Sequence, residues 1–360
     1  MLEQKRIAVV GTGVIGTLTG GFLTLGGYDV TVVPMFRRGA VDRLNSRGIR
    51  IMFEGQTYNT PVKAVHIDDL GTVDARFDWI LLTGKSNDTQ MAVRKTLPYL
   101  TQDGVVTSLQ NGINEDVIIP MVSQERVVPC VCFTGGFSPE PGVVENHDGF
   151  LVIGELDGRE TDRVREMAQI LSAIKPTSIS DQIMQKRWEK LAEICMGVPL
   201  ACVSGYHQFC GNDDKRMQRL FGRLACETFQ VARACGYELP QIAFMKEDEM
   251  KILAVQDDET LGTRMAHHPM SKEEPPEGAT GLAALVDAYT ADIRKGLPLE
   301  IDYANGYIIR KGREKAVPTP THQAVVDMVH QVERGERAAQ KSNLEELIGQ
   351  TNGMFQCTDR

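Results

Sequence analysis

Short apolar runs alternate with helix-length segments through the first half of the chain. Arg6–Val10, Tyr28–Val33, Trp79–Leu82 and Val105–Leu109 are rich in Val, Ile and Leu, and such short, nearly continuous apolar runs read as strands covered on both faces. Longer segments between them predict βαβ units and a parallel sheet. Two further runs, Val127–Phe133 and Phe150–Ile153, are separated by Gly135-Gly136 and Glu140-Pro141-Gly142, which predicts an antiparallel extension. After about residue 180 the texture changes. Ile183–Leu200, Arg216–Cys235, Leu282–Lys295, Glu300–Lys315 and Gln323–Gly335 repeat apolar residues every three or four positions, the period of an amphipathic helix. The pattern predicts a doubly wound α/β domain over residues 1–178, an all-α domain over 179–345 and a tail over 346–360. Pro240 and the polar run Gln256–Thr280 read as interruptions, the latter as a lid-like loop. The polar stretch Gln331–Arg360 reads as a surface helix or as a subunit contact, as in a homodimer.

Length and charge narrow the possibilities. The chain has 360 residues, whereas a single core stops growing at about 250–300, so two domains are expected. Its 39 Lys and Arg stand against 48 Asp and Glu, 39 − 48 = −9, an acidic balance that argues against nucleic-acid and anionic-membrane partners. No stretch approaches the roughly 20 apolar residues of a membrane span, and the first residues run straight into a strand pattern, so a cytoplasmic location is expected. The eight cysteines, Cys130, Cys132, Cys195, Cys202, Cys210, Cys226, Cys235 and Cys357, form no C-x-x-C pair and read as reduced thiols. His267 and His268 adjoin without a further ligand at metal spacing, so no metal site is expected.

The first strand runs directly into Gly11-Thr12-Gly13-Val14-Ile15-Gly16 and then a helix-compatible segment. In a G-x-G-x-x-G turn the first glycine permits the tight bend and the second lets the backbone approach a pyrophosphate. The third lets helix and strand pack closely, and the helix N-terminus presents N–H groups to the phosphates. This turn lies between strand, helix and second strand, the setting the mechanism requires, and it points to a dinucleotide in a Rossmann-like domain. At the end of the second strand, where an acid would hold an NAD ribose, stand Val33-Pro34-Met35-Phe36-Arg37-Arg38. With no carboxylate and two guanidiniums there, NADP(H) is expected over NAD(H), because Arg pairs bidentately with a 2′-phosphate.

With these residues in place the chain resembles the ketopantoate reductase (2-dehydropantoate 2-reductase) family from Ile7 to about Met328. Beside the glycine loop, Leu82-Thr83-Gly84-Lys85-Ser86 is similar to the family's Val-Lys-Ser/Ala turn. Leu109-Gln110-Asn111-Gly112 is similar to its Gln-Asn-Gly turn, and Arg187-Trp188-Glu189-Lys190-Leu191 to its Trp-x-Lys-Leu helix. Asp292-Ile293-Arg294-Lys295-Gly296 through Glu300-Ile301-Asp302 to Asn305-Gly306 resembles its Asp-Ile-x-x-Gly-x-x-Thr-Glu-Ile-Asp-x-x-Asn-Gly segment, with Pro318-Thr319-Pro320 following. The resemblance implies a Rossmann-like domain followed by an all-α domain of the 6-phosphogluconate-dehydrogenase C-terminal kind. It also implies an oxidoreductase that delivers a hydride from NADPH to a 2-oxo acid. Lys190 would be the general acid to the developing alkoxide, Lys85 and Asn111 would lie near nicotinamide and substrate, and Glu300 would bond the substrate or Lys190. From spacing alone, Lys190 reads equally well as a snorkelling surface lysine.

The departures from the family bear on the substrate. Where the family's helix carries asparagines four and eight residues after the lysine, on its own stripe, this chain has Ile194 and Val198, with Glu193 alongside. A serine that contacts the substrate carboxylate aligns with Ala288, beside Tyr289 and Thr290. A small, oxygen-rich substrate would leave groups unpaired against such a wall. The leading expectation is therefore an NADP-dependent oxidoreductase acting on a bulkier or more apolar 2-oxo or 2-hydroxy compound, ketone or secondary alcohol. Three alternatives stand beside it: a true 2-dehydropantoate 2-reductase with replacement contacts from Glu193, Thr290 or the 256–280 loop, a D-2-hydroxy-acid dehydrogenase of the mandelate type, and a non-catalytic NADP-binding sensor.

Overall fold

The computed structural model describes residues 5–74, 76–207, 210–267, 272 and 287–355. The chain divides into two compact units, Met1–Arg187 and Trp188–Arg360. His268, Cys357, the first residues of the predicted Leu282–Lys295 helix and residues 268–271 and 273–280 of the predicted lid-like loop lie outside the described residues.

The first unit contains β1 (Arg6–Val10), α1 (Val14–Leu25), β2 (Asp29–Val33), α2 (Arg38–Arg47), β3 (Ile49–Phe53), β4 (Gln56–Thr60) and β5 (Lys63–Ala64). There follow β6 (Phe77–Leu82), α3 (Thr89–Thr96), β7 (Leu100–Ser108), α4 (Glu115–Val122), β8 (Cys130–Phe133), β9 (Gly136–Glu140), β10 (Val143–Asn146), β11 (Phe150–Ile153), α5 (Asp162–Leu171) and β12 (Thr177–Ile179). Five strands form a parallel sheet in the order β5-β2-β1-β6-β7. Its strands are apolar on both faces for a reason. Ile7, Val9, Val30, Val32 and Leu81 pack into one core with Leu18 of α1, while Ala8, Val10, Ile80, Leu82 and Val106 pack into another with Ile118 of α4. The order reverses at β1, with β2 on one side and β6 on the other, so the glycine loop leaves the sheet at the switch point where such folds bind ligands.

The predicted antiparallel extension is two separate sheets. One, ordered β12-β11-β8, pairs β11 antiparallel to β8, and the other is ordered β4-β3-β10-β9. The β3–β4 hairpin was not expected from the pattern. Its two-residue turn places both Glu54 (φ 49°) and Gly55 (φ 73°) in the left-handed region, the demand of a primed turn. Glu is an uncommon residue there, and β4 is polar except for Tyr58.

The second unit begins within α6 (Ile183–Ser204) and continues through α7 (Lys215–Ala234), α8 (Glu247–Val255), α9 (Glu259–Ala266), α10 (Ala288–Lys295), α11 (Asn305–Glu314), α12 (Pro320–Glu333) and α13 (Ser342–Thr351). Three expectations need correction. Part of the predicted loop is α9, capped by the Asp258 carboxylate, which accepts from Leu261 N. The predicted Glu300–Lys315 helix is broken at Ala304 (φ −100°, ψ −95°) into a 3-10 turn, Ile301–Tyr303, and α11. Nor does a separate tail begin at residue 346, because α13 (Ser342–Thr351) runs through that position. Leu344 and Leu347 are fully buried, Asn343 Nδ2 donates to Val203 O (2.8 Å), and Arg223 donates to Ile348 O (3.0 Å). Among the described residues no helix is long and apolar enough to cross a membrane, and no two of the seven described cysteines are joined in a disulfide.

Candidate active site

The glycine loop is shaped by what side chains would strike. A Cβ on Gly16 would lie 2.1 Å from Gly11 O, and one on Gly11 (φ +117°) 2.7 Å from Gly84 N. Both positions therefore require glycine for the close packing of β1, α1 and the turn after β6. Gly13 differs, because a Cβ there would meet nothing within 4 Å. It is the N-cap of α1 and carries no side-chain cap, so the first N–H groups of the helix and the space in front of them remain open to an anion. Thr12, Gly13, Val14 and Ile15 are all at least partly accessible. The loop thus fits a dinucleotide pyrophosphate.

The turns carrying Lys85 and Asn111 are tied into one knot. Gln110 Nε2 donates to Gly84 O (3.1 Å) and Lys85 O (2.9 Å), and Ser86 Oγ donates to Asn111 O (2.9 Å), which Asn114 Nδ2 also reaches (2.8 Å). Asn111 itself is exposed. Beside Lys85, burial pushes the Asp88 carboxyl up, opposed by the lysine's charge.

The two arginines after β2 are not equivalent. Both are exposed, but Arg38 is hydrogen-bonded to Asp69, with Asp68 at 4.0 Å, and these carboxylates raise its pKa. No hydrogen bond or ion pair among the described residues engages the side chain of Arg37, the N-cap of α2.

In the second unit α6 presents Lys190, Glu193, Ile194, Gly197 and Val198, all half-buried, at spacings that place them along one stripe. Lys190 Nζ lies 3.8 Å from Glu193 Oε2. Burial raises the Glu193 carboxyl, against the pull of Lys190. A Cβ on Gly197 would meet nothing within 4 Å, so the stripe borders open space. Glu300 is half-buried at the start of the 3-10 turn. Ala288 is exposed, whereas Tyr289 is buried, 3% accessible. The Tyr289 hydroxyl finds no hydrogen-bond partner among the described residues. Burial raises the Tyr289 phenol well above its ordinary value, and the Glu300 charge adds to the effect.

Comparison with known proteins decides the family. Residues 7–158 match the family described as ketopantoate reductase PanE/ApbA, and residues 182–333 match its C-terminal domain. The chain belongs to the ketopantoate reductase family. It is an oxidoreductase acting on CH–OH groups. It is 23% identical to the 2-dehydropantoate 2-reductase of Archaeoglobus fulgidus, over 93% of this chain and all (100%) of that one. Its fold is shared with the PanE/ApbA family ketopantoate reductase of Ralstonia eutropha (TM-score 0.73, 24% identity, 92% of this chain and 99% of that one). A D-mandelate dehydrogenase in complex with NADH and anilino(oxo)acetate is equally similar in fold (TM-score 0.74, 20% identity, 92% and 99%).

For this member of the family the structure adds residues that the sequence did not single out. Arg187, 2% accessible, donates from Nη1 to Gln110 O (2.8 Å) and from Nη2 to Ser108 O and Glu115 Oε1 (both 2.6 Å). With Nη1 also donating to Gly112 O (3.4 Å), it fixes the carbonyls that flank Asn111. Only its place beside the Trp-x-Lys-Leu segment hinted at a role. Gln110, named only as part of a motif, is the centre of the knot described above.

Proposed function

We propose that this chain is an NADP(H)-preferring reductase of 2-oxo acids bulkier and more apolar than ketopantoate, with Lys190 as the general acid. The observation that carries the reading is the α6 stripe, where a lysine is followed by half-buried Ile194 and Val198 beside open space at Gly197. When bound, the reduced nicotinamide supplies the hydride taken up by the carbonyl carbon. The loop Gly11–Gly16 and the open N-terminus of α1 hold the pyrophosphate. Arg37 takes the 2′-phosphate, joined by Arg38 when Asp69 releases it. Lys85 and Asn111 orient the nicotinamide and substrate ends. Lys190 donates a proton to the oxygen as negative charge develops on it, because an alkoxide in a dry site needs a proton or a fixed positive charge. Glu193 keeps a carboxylate near that ammonium, and Glu300 accepts a hydrogen bond from the substrate or from Lys190. Ile194 and Val198 favour apolar substrate area by about 25 cal/mol per Å² buried and offer nothing to a hydroxyl.

The test is kcat/KM for phenylglyoxylate and for ketopantoate in the wild type and in Ile194→Asn/Val198→Asn. The wild type is expected to prefer phenylglyoxylate and the double variant to shift toward ketopantoate, by about tenfold or more in the ratio. A wild type that already prefers ketopantoate overturns the reading.

A further inference from the structure

Pro199 lies inside α6. A proline has no N–H, so the carbonyl four residues earlier loses its helical partner, and here that carbonyl belongs to Cys195, between Ile194 and Val198 on the chain. The bond is replaced from elsewhere. Asn305, 0% accessible at the start of α11, donates from Nδ2 to Cys195 O at 3.0 Å. The other hydrogen of the same amide points at His322 Nδ1, 3.2 Å away. Cys195 O can only accept, so the Asn305 amide nitrogen faces it; Leu224 O can only accept as well, so the His322 Nδ1 accepts from Asn305 and the ring proton sits on Nε2. That nitrogen lies 3.1 Å from Leu224 O and 3.1 Å from Thr228 Oγ1. Glu227 in turn accepts from Thr321 N (2.8 Å) and His322 N (3.1 Å), pinning the first turn of α12.

We infer that Asn305 is a positioning residue for the reaction: its amide, oriented by His322, stands in for the N–H that Pro199 lacks and holds the turn of α6 that sets Lys190 and Ile194 against Val198. The inference rests on the reading of Lys190 as proton donor. Without Asn305 the Cys195 carbonyl is buried and unpaired, and the turn is free to shift. A displacement of about 1 Å at a reacting group lowers rates by as much as about 10²-fold.

The test is a double-mutant cycle in the full-length protein with Asn305→Ala, Pro199→Ala and the pair. It is read as kcat and KM with NADPH and whichever of phenylglyoxylate and ketopantoate the wild type turns over faster, and in parallel as urea stability. Asn305→Ala is expected to lower kcat by about tenfold or more while KM for NADPH stays within about twofold. Pro199→Ala gives Cys195 O an N–H, so in that background the same change is expected to cost less than about threefold. Equal losses in both backgrounds overturn the inference, as does a loss confined to KM for NADPH. Should Asn305→Ala fail to fold, Asn305→Asp, of nearly equal size but presenting oxygens to Cys195 O, takes its place and must show the same relief by Pro199→Ala. Lys190→Ala is assayed alongside. Full activity in that variant with a coupled cycle refutes the Lys190 reading alone, whereas an inactive Lys190→Ala with an uncoupled cycle refutes the role of Asn305 alone.

Discussion

Arg187→Met tests whether one buried guanidinium holds the turn that carries Asn111. Arg187 is 2% accessible and its partner Glu115 is 0% accessible. The substitution keeps most of the stem but removes the cation 2.6 Å from Glu115 Oε1, together with the donors to Ser108 O and Gln110 O. Breaking a buried ion pair by removing one partner costs about 3–5 kcal/mol, because the other charge is left uncompensated. That is a large share of the roughly 5–15 kcal/mol that stabilises a domain. The assay is urea denaturation of the wild type, Arg187→Met, Glu115→Gln and Arg187→Met/Glu115→Gln, with KM for NADPH measured under native conditions. The single Arg187→Met is expected to lose about 3–5 kcal/mol, and the pair to recover about 1 kcal/mol or more because no charge is left buried. KM for NADPH is expected to rise in both, since neither restores the donors that fix the carbonyls on either side of Asn111. A loss below about 1 kcal/mol in Arg187→Met, or a pair no more stable than the single variant, would refute the reasoning.

Two further outcomes follow from other sites. Arg37→Ala is expected to weaken NADPH binding about tenfold or more with little effect on NADH, and Arg38→Ala to do less because Asp69 already engages that guanidinium; fluorescence titration of both cofactors decides, and equal wild-type affinity for the two would sink the assignment. Burial pushes Glu227 up to about 7, against its bonds from Thr321 and His322, and holds His322 down at about 4. The native state therefore keeps the Glu227 proton more tightly than the unfolded chain, a contribution present below the ordinary carboxylate range and lost as pH rises to about 7. The native state refuses the His322 proton, a contribution present above the ordinary imidazole value and lost as pH falls to about 4. The two offset each other in the wild type. In Glu227→Gln only the histidine term remains, so stability by urea denaturation is expected to fall by up to about 3 kcal/mol between pH 6.5 and 4, more steeply than in the wild type; parallel profiles would contradict it.

What the sequence determined by itself was local. Apolar runs in β1, β2 and β6, the spacing of Gly11, Gly13 and Gly16, and the helical period that puts Lys190, Ile194 and Val198 on one stripe are properties of neighbouring residues, and backbone geometry converts them directly into strand, turn and helix face. The family followed from those motifs taken in order. Tertiary structure decided who bonds to whom across long separations. Arg38 is engaged by Asp69, 31 residues away; Arg187 holds Ser108 O across 79; Asn305 completes the α6 ladder across 110; and Asn343 reaches Val203 O across 140, drawing α13 into the helical unit. A buried polar group must find a partner, but nothing in its own stretch of sequence says which one, because the partner is chosen by the packing of elements that the local pattern specifies only one at a time. For that reason the stripe on α6 was legible from the sequence, and the amide that holds its broken turn was not.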